Sequence, residues 1–155
     1  MIIVSACLAG IDCRYDGKNS LCEKAVRLVA EGRAIPVCPE QLGGSPTPRP
    51  TAEIKDGTGA GVLRGDCRVL SSTGEDLSGR FVLGAGEVLK IAKTVGAKSA
   101  LLKAKSPSCG CGLIYDGTFS GKLVEGNGVT AELLLQNGIK VITEKQPEEM
   151  DLMFD

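Results

Sequence analysis

Apolar residues along this chain come in short bursts separated by Gly, Pro and polar clusters, and the rhythm of the bursts predicts the elements. Ile2-Ile3-Val4, Ala34-Ile35-Pro36-Val37, Ser99 to Lys103 and Ile139 to Ile142 are brief runs without polar alternation. Runs of that length read as strands buried on both faces, as in a parallel sheet. Helical spacing lies between them. Ser20-Leu21-Cys22-Glu23 has the form of a capping box, with Ser20 as N-cap. The helix it opens carries Ala25, Val26, Leu28 and Val29 and stops at Gly32. From about Leu77 to Val95, the positions Phe81, Val82, Ala85, Val88, Leu89, Ile91 and Ala92 recur to cover one helical face, with Gly96 placed to end it. A last helix is predicted from Thr130 to Asn137, stopped by Gly138.

The remaining stretches read as excursions and loops. Ile54 to Leu70 is hairpin-like, and Leu113-Ile114-Tyr115 is expected to turn on Asp116-Gly117 into Thr118-Phe119. Gln41 to Pro50 (QLGGSPTPRP) is too rich in Pro and Gly for regular structure but stiff enough to wall a pocket. From Glu144 the chain is acidic and reads as a frayed helix. The expectation is one domain over residues 1–143 and a tail over 144–155. Alternating strands and helices imply an α/β fold, a mainly parallel sheet with helices on both faces in a Rossmann-like three-layer arrangement, with short β-hairpin excursions.

Composition changes this picture in two ways. Apolar content is 43%, yet only three Phe and two Tyr are aromatic, so the core must be aliphatic. A formal net charge of −1 with interspersed signs gives no footprint for a nucleic-acid backbone. No basic, apolar leader opens the chain, and no run approaches the roughly 20 apolar residues of a membrane span. A cytoplasmic protein with no nucleic-acid or membrane partner is expected; the oligomeric state stays open.

The cysteine count matters more. Seven Cys stand beside no His at all. Disulfides do not persist in a reducing compartment, so ligand or nucleophile roles come forward. The missing His excludes Cys/His zinc sites, Cys-His dyads and Ser-His-Asp triads together. Any general acid or base must be Glu, Asp, Lys, Tyr or Cys.

Three predicted strands are each followed closely by a thiol: Val4 by Cys7, Val37 by Cys38, Leu102 by Cys109. In open parallel sheets, sites form beyond the carboxyl ends of the strands, so neighbouring strands bring these thiols to one edge. Three convergent thiols without His suit a soft metal or an iron–sulfur cluster; buried structural thiols are the plain alternative. The loop Lys103 to Gly112 (KAKSPSCGCG) is angular and polar, shaped to hold something. Glu40, two residues past Cys38 with Pro39 fixing the turn, is placed to face the same cavity or to cap a helix. Ser106 and Ser108 flank Pro107 and either enter the site or satisfy turn amides. Asp16 precedes a turn glycine, and Arg49 stands between prolines. Cys22 and Cys67 read as packing, whereas Cys13 and Cys111 rival the ligand set.

The strings SACLAGIDCRYDG, VCPEQLGGSPTPRPTAEI, LKAKSPSCGCGLIYDGTFSG and GNGVTAELLLQNGIKV together resemble the thiouracil desulfidase family, over about residues 2 to 143. The resemblance implies a [4Fe-4S] cluster held by three cysteines, matching Cys7, Cys38 and Cys109, with one iron left open. It implies a catalytic carboxylate at Glu40 and a catalytic serine at Ser106, with Asp16, Ser108 and Arg49 as weaker candidates for substrate contact. The implied activity is non-redox removal of sulfur from a thiolated nucleobase such as thiouracil. A non-catalytic cluster-binding or sulfur-transfer protein is the alternative. Ala9 and Ser45 stand where members of that family often carry Leu, and both are expected to line the pocket.

Overall fold

The computed structural model describes all residues from Met1 to Asp155. Ile2–Ser5 (β1) is buried along its whole length and leads into a 3-10 turn, Ala6–Ala9. Glu23–Ala30 (α1) follows, but the capping box does not form. Cys22 is the N-cap residue, no side chain caps the helix, and the Ser20 hydroxyl instead accepts the Arg14 guanidinium at 2.6 Å. Of the apolar positions expected to face inward, Ala25 and Leu28 are buried while Val26 is exposed. Ala34–Val37 (β2) pairs in parallel with β1, and Pro39–Leu42 (α2) follows it at once.

The expected excursion proves richer than a hairpin. Ala52–Lys55 (β3) and Arg68–Ser71 (β4) do pair antiparallel, but Gly59–Arg64 (α3) is wound between them. The long helix, Ser78–Thr94 (α4), lies where its spacing predicted, burying Phe81, Ala85, Val88 and Ala92 while Val82 stays exposed. Ser99–Leu102 (β5) joins the main sheet on the other side of β1. Leu113–Tyr115 (β6) pairs with Leu123–Glu125 (β7), not with Thr118-Phe119. The Asp-Gly pair opens a longer loop instead of making a two-residue turn, because Asp116 is spent on the Thr118 amide and hydroxyl. Val129–Gln136 (α5) and Lys140–Thr143 (β8) complete the sheet.

The sheet order is β2-β1-β5-β8, all parallel. Pro36 is tolerated because β2 lies at an edge, where a missing ladder donor costs little. Side chains alternate between faces. Ile2, Val4, Leu101 and Ile142 pack with Ala25 and Leu28, while Ile3, Ala100, Leu102 and Val141 pack with Val88, Ala92, Ala131 and Leu134. The result is three layers with aliphatic packing on both faces. The tail is part of this body. Pro147–Phe154 (α6) buries Met150 and Phe154 in the same cluster as α1, and Arg27 pairs with Asp155 at 3.0 Å. No helix is long and apolar enough to cross a membrane.

Candidate active site

After β1 the chain turns to β2 on one side, then later returns to β5 on the other. That switch opens a crevice beyond the carboxyl ends of β1 and β5. A cavity of about 580 Å³ lies there. Cys7 enters it from the 3-10 turn, Cys38 from the N-cap of α2, and Cys109 from the loop after β5. Pro39 at the first helical position starts α2 without wasting a donor, and Glu40 follows it into the cavity wall. The height of α2 is set by two glycines. A Cβ on Gly43 or Gly84 would drive into the backbone of Arg80 or Pro39, so α2 and α4 touch main chain to main chain.

Glu40 is held at both oxygens. Arg49 Nε donates to Oε1 at 3.1 Å, and the Ser108 hydroxyl donates to Oε2 at 3.0 Å. Arg49 also reaches the Pro46 carbonyl, the Thr47 hydroxyl and the Cys13 carbonyl, the last at 2.9 Å. It is therefore a brace between the proline-rich segment, the Glu40 carboxylate and the Cys13 loop, with Nε and both terminal nitrogens engaged. Ser106 Oγ lies 3.3 Å from Ser108 Oγ and accepts the Cys109 amide at 2.8 Å. Since Ser108 gives its one hydroxyl proton to Glu40, Ser106 is the donor across that contact, and a chain of hydroxyls runs from Ser106 through Ser108 to the carboxylate.

The thiols sit in a setting that disfavours charge in the protein alone. Burial pushes Cys109 up to about 12, against the pull of the Ser5 and Ser108 hydroxyls. Cys13 touches two other thiols: Cys38 draws it down, Cys7 and burial drive it up, and the balance is about 11. Contact with Cys13, then burial, pushes Cys38 far above the usual thiol range. Such thiols ionise when a cationic centre compensates them, with release of protons.

All seven cysteines are free. No three acidic or thiol side chains close around a single ion; Cys7, Cys38 and Cys109 reach one cavity from three different segments of the chain. Three thiols and no imidazole at one cavity are a donor set whose chemistry fits an iron–sulfur centre, in which separate irons take separate thiolates.

The structure thus brings Cys7, Cys38, Cys109, Glu40, Ser106, Ser108 and Arg49 to one cavity. It does not bring Asp16, which accepts the Lys18 amide in its own turn and lies off the cavity wall. Ala9 and Ser45 do not line the cavity either. Cys111 turns away toward the Val141 carbonyl, and Cys22 and Cys67 pack against core clusters. Cys13 does line the cavity, at 2% exposure.

Sequence reasoning passed over Ser5, whose buried hydroxyl donates to Cys109 Sγ at 3.3 Å and accepts the Lys103 amide at 2.9 Å. A lone polar residue closing an apolar strand two places before Cys7 was the available signal. It also passed over Glu144, which ties Lys103 (2.6 Å) and the Ala104 amide (2.8 Å) at the root of the Cys109 loop.

Fold and site together define a class: an α/β protein with a thiol-lined crevice at the switch point of a parallel sheet and a braced carboxylate beside it. A model of the 2-thiouracil desulfurase family matches residues 2–146, and the chain belongs to that family. It is 50% identical over 146 residues to the uncharacterized protein YbbK of Bacillus subtilis (strain 168), covering 94% of this chain and 97% of that protein. The solved structure of the [4Fe-4S]-dependent thiouracil desulfidase TudS superposes with a TM-score of 0.85 at 43% identity, covering 97% of this chain and 95% of that one.

Proposed function

We propose that this protein is a [4Fe-4S]-dependent desulfidase that replaces the thiocarbonyl sulfur of a thiolated pyrimidine such as thiouracil with oxygen from water, giving the oxo base and hydrogen sulfide. Cys7, Cys38 and Cys109 would hold the cluster. Bound by three protein thiolates, such a cluster supplies a Lewis-acidic iron with a free position, able to polarise a C=S bond without net electron transfer.

The chain's own groups do the rest. Glu40 takes a proton from the water that adds to the thiocarbonyl carbon. Arg49 fixes one carboxylate oxygen and Ser108 the other, so the base is aimed before substrate arrives. Ser106, held by the Cys109 amide, swings its O–H from Ser108 to the substrate or to developing charge. The proton on Glu40 has a path through Ser108 to Ser106 and back to the leaving sulfur. Atoms balance as C=S plus water giving C=O plus hydrogen sulfide, with no oxidant or reductant.

The observation that carries this reading is the braced Glu40 carboxylate in the wall of the cavity shared by the three thiols. A protein that merely stores or passes on a cluster has no use for it. The test is Glu40→Gln in anaerobically reconstituted protein. Iron and sulfide content should match wild type while thiouracil turnover falls about 10²–10⁴-fold, the usual contribution of a positioned base. Full turnover in Glu40→Gln, or loss of the cluster with it, overturns the assignment.

A further inference from the structure

The family reading says nothing of how a flat ring is gripped, and the aromatic residues are distributed unevenly. Of the three Phe and two Tyr in the chain, Phe81 and Phe154 lie in the core at 2% and 1% exposure. The other three, Tyr15, Tyr115 and Phe119, all line the cavity. Phe119 stands out among them. Phe119 and Tyr15 are each 40% exposed, but of the three only Phe119 has its backbone at φ 55°, in the left-handed region that bulky side chains avoid.

Such a conformation persists only when its surroundings enforce it. Here they do. Glu53, at 8% exposure on β3, accepts the Gly117 amide at 2.9 Å and the Phe119 amide at 3.2 Å through one oxygen. Asp116 holds the Thr118 amide at 2.9 Å. Gly117 is at φ 92°, and a Cβ there would lie 2.5 Å from the Ile54 carbonyl, so the loop is pressed flat against β3. A buried carboxylate and a strained turn are thus spent on presenting one half-exposed aromatic ring to the cavity.

We propose that Phe119 is a specificity-determining residue whose ring forms a fixed face on which the heterocycle of the substrate stacks. The identity of that heterocycle rests on the desulfidase reading; the stacking face does not. A planar, electron-poor ring is the ligand that such a surface favours over an aliphatic thiocarbonyl of equal size. Glu53 is the positioning residue that holds the loop.

The test uses cluster-loaded protein under anaerobic conditions, with equilibrium dialysis of uracil, the non-reacting oxo product, beside thiouracil kinetics. Phe119→Ala should weaken uracil binding about tenfold or more, in line with loss of one base–aromatic stack. The kinetic loss should fall on KM more than on kcat. Phe119→Tyr should stay within about twofold of wild type because it keeps the ring, whereas Phe119→Leu should resemble Phe119→Ala. Glu53→Ala should weaken uracil binding with Phe119 still present. If wild type desulfurates thiouracil while Phe119→Ala binds uracil normally, or if Phe119→Leu binds as well as Phe119→Tyr, the stacking face is wrong and the desulfidase reading stands. If uracil binding depends on Phe119 but no thiopyrimidine loses sulfur, the reverse holds.

Discussion

Arg49 and Glu40 meet at 3.1 Å with side-chain exposures of 6% and 17%, so the charge pair is almost wholly withdrawn from water. Removing one partner of such a pair strands the other, at a cost of about 3 kcal/mol or more. Arg49→Ala should therefore lower the melting temperature by several degrees and depress turnover. Arg49→Lys keeps the charge but lacks the planar fork that reaches Glu40, Thr47 and the Cys13 carbonyl together. It should recover stability better than activity, with the loss in kcat and little change in KM. A rise in KM alone would return Arg49 to the substrate-contact role suggested by the sequence.

The buried thiol of Cys109 makes stability depend on alkaline pH. Its folded value of about 12 lies above the ordinary 9 of an unfolded chain. Folding thus favours the protonated form, a contribution complete below pH 9 and lost as pH rises toward 12. Thermal unfolding of the cluster-free protein should show a steeper loss of stability between about pH 9 and pH 12 than Cys109→Ala, which has no proton to lose there. Parallel curves would show that the thiol is not buried as described.

Thr130 is fully buried at the start of α5, and its hydroxyl has no partner. An unpaired buried hydroxyl carries its desolvation cost without return. Thr130→Val keeps the shape and should stabilise the protein by about 1 kcal/mol, read as a rise in melting temperature of about 2–4 °C for a chain of this size. A fall would mean that the hydroxyl is satisfied in solution.

Phe154 tests the reach of the domain. Its side chain is 1% exposed in the cluster of α1 and β1, and its carbonyl accepts the Arg33 guanidinium. Phe154→Ala should destabilise the fold by about 3–5 kcal/mol, as expected for a core Phe, in denaturant unfolding. A change under about 0.5 kcal/mol, typical of surface positions, would restore the tail to the frayed appendage that its acidic composition suggested.

Periodicity and spacing alone determined the strands of the main sheet, the long helix at Ser78–Thr94 and the thiols that follow three of those strands, while the order that makes them neighbours came from the fold. These features are local: a buried strand needs a continuous apolar run, and a strand's end fixes where the next residues emerge. The core side of α1 was only half legible, since Val26 is as apolar as Leu28 and only the packing of α1 on the sheet exposes it. The capping box at Ser20 failed because Arg14, earlier in the same loop, claims that hydroxyl. The turn at Asp116 lengthened because Asp116 binds Thr118 while Glu53, more than sixty residues earlier, captures the Gly117 and Phe119 amides. Likewise the partners of Glu40 and the docking of α6 depend on contacts between distant segments. Hydrogen-bond competition of that kind leaves no periodic trace, so only the folded chain decides which polar groups meet.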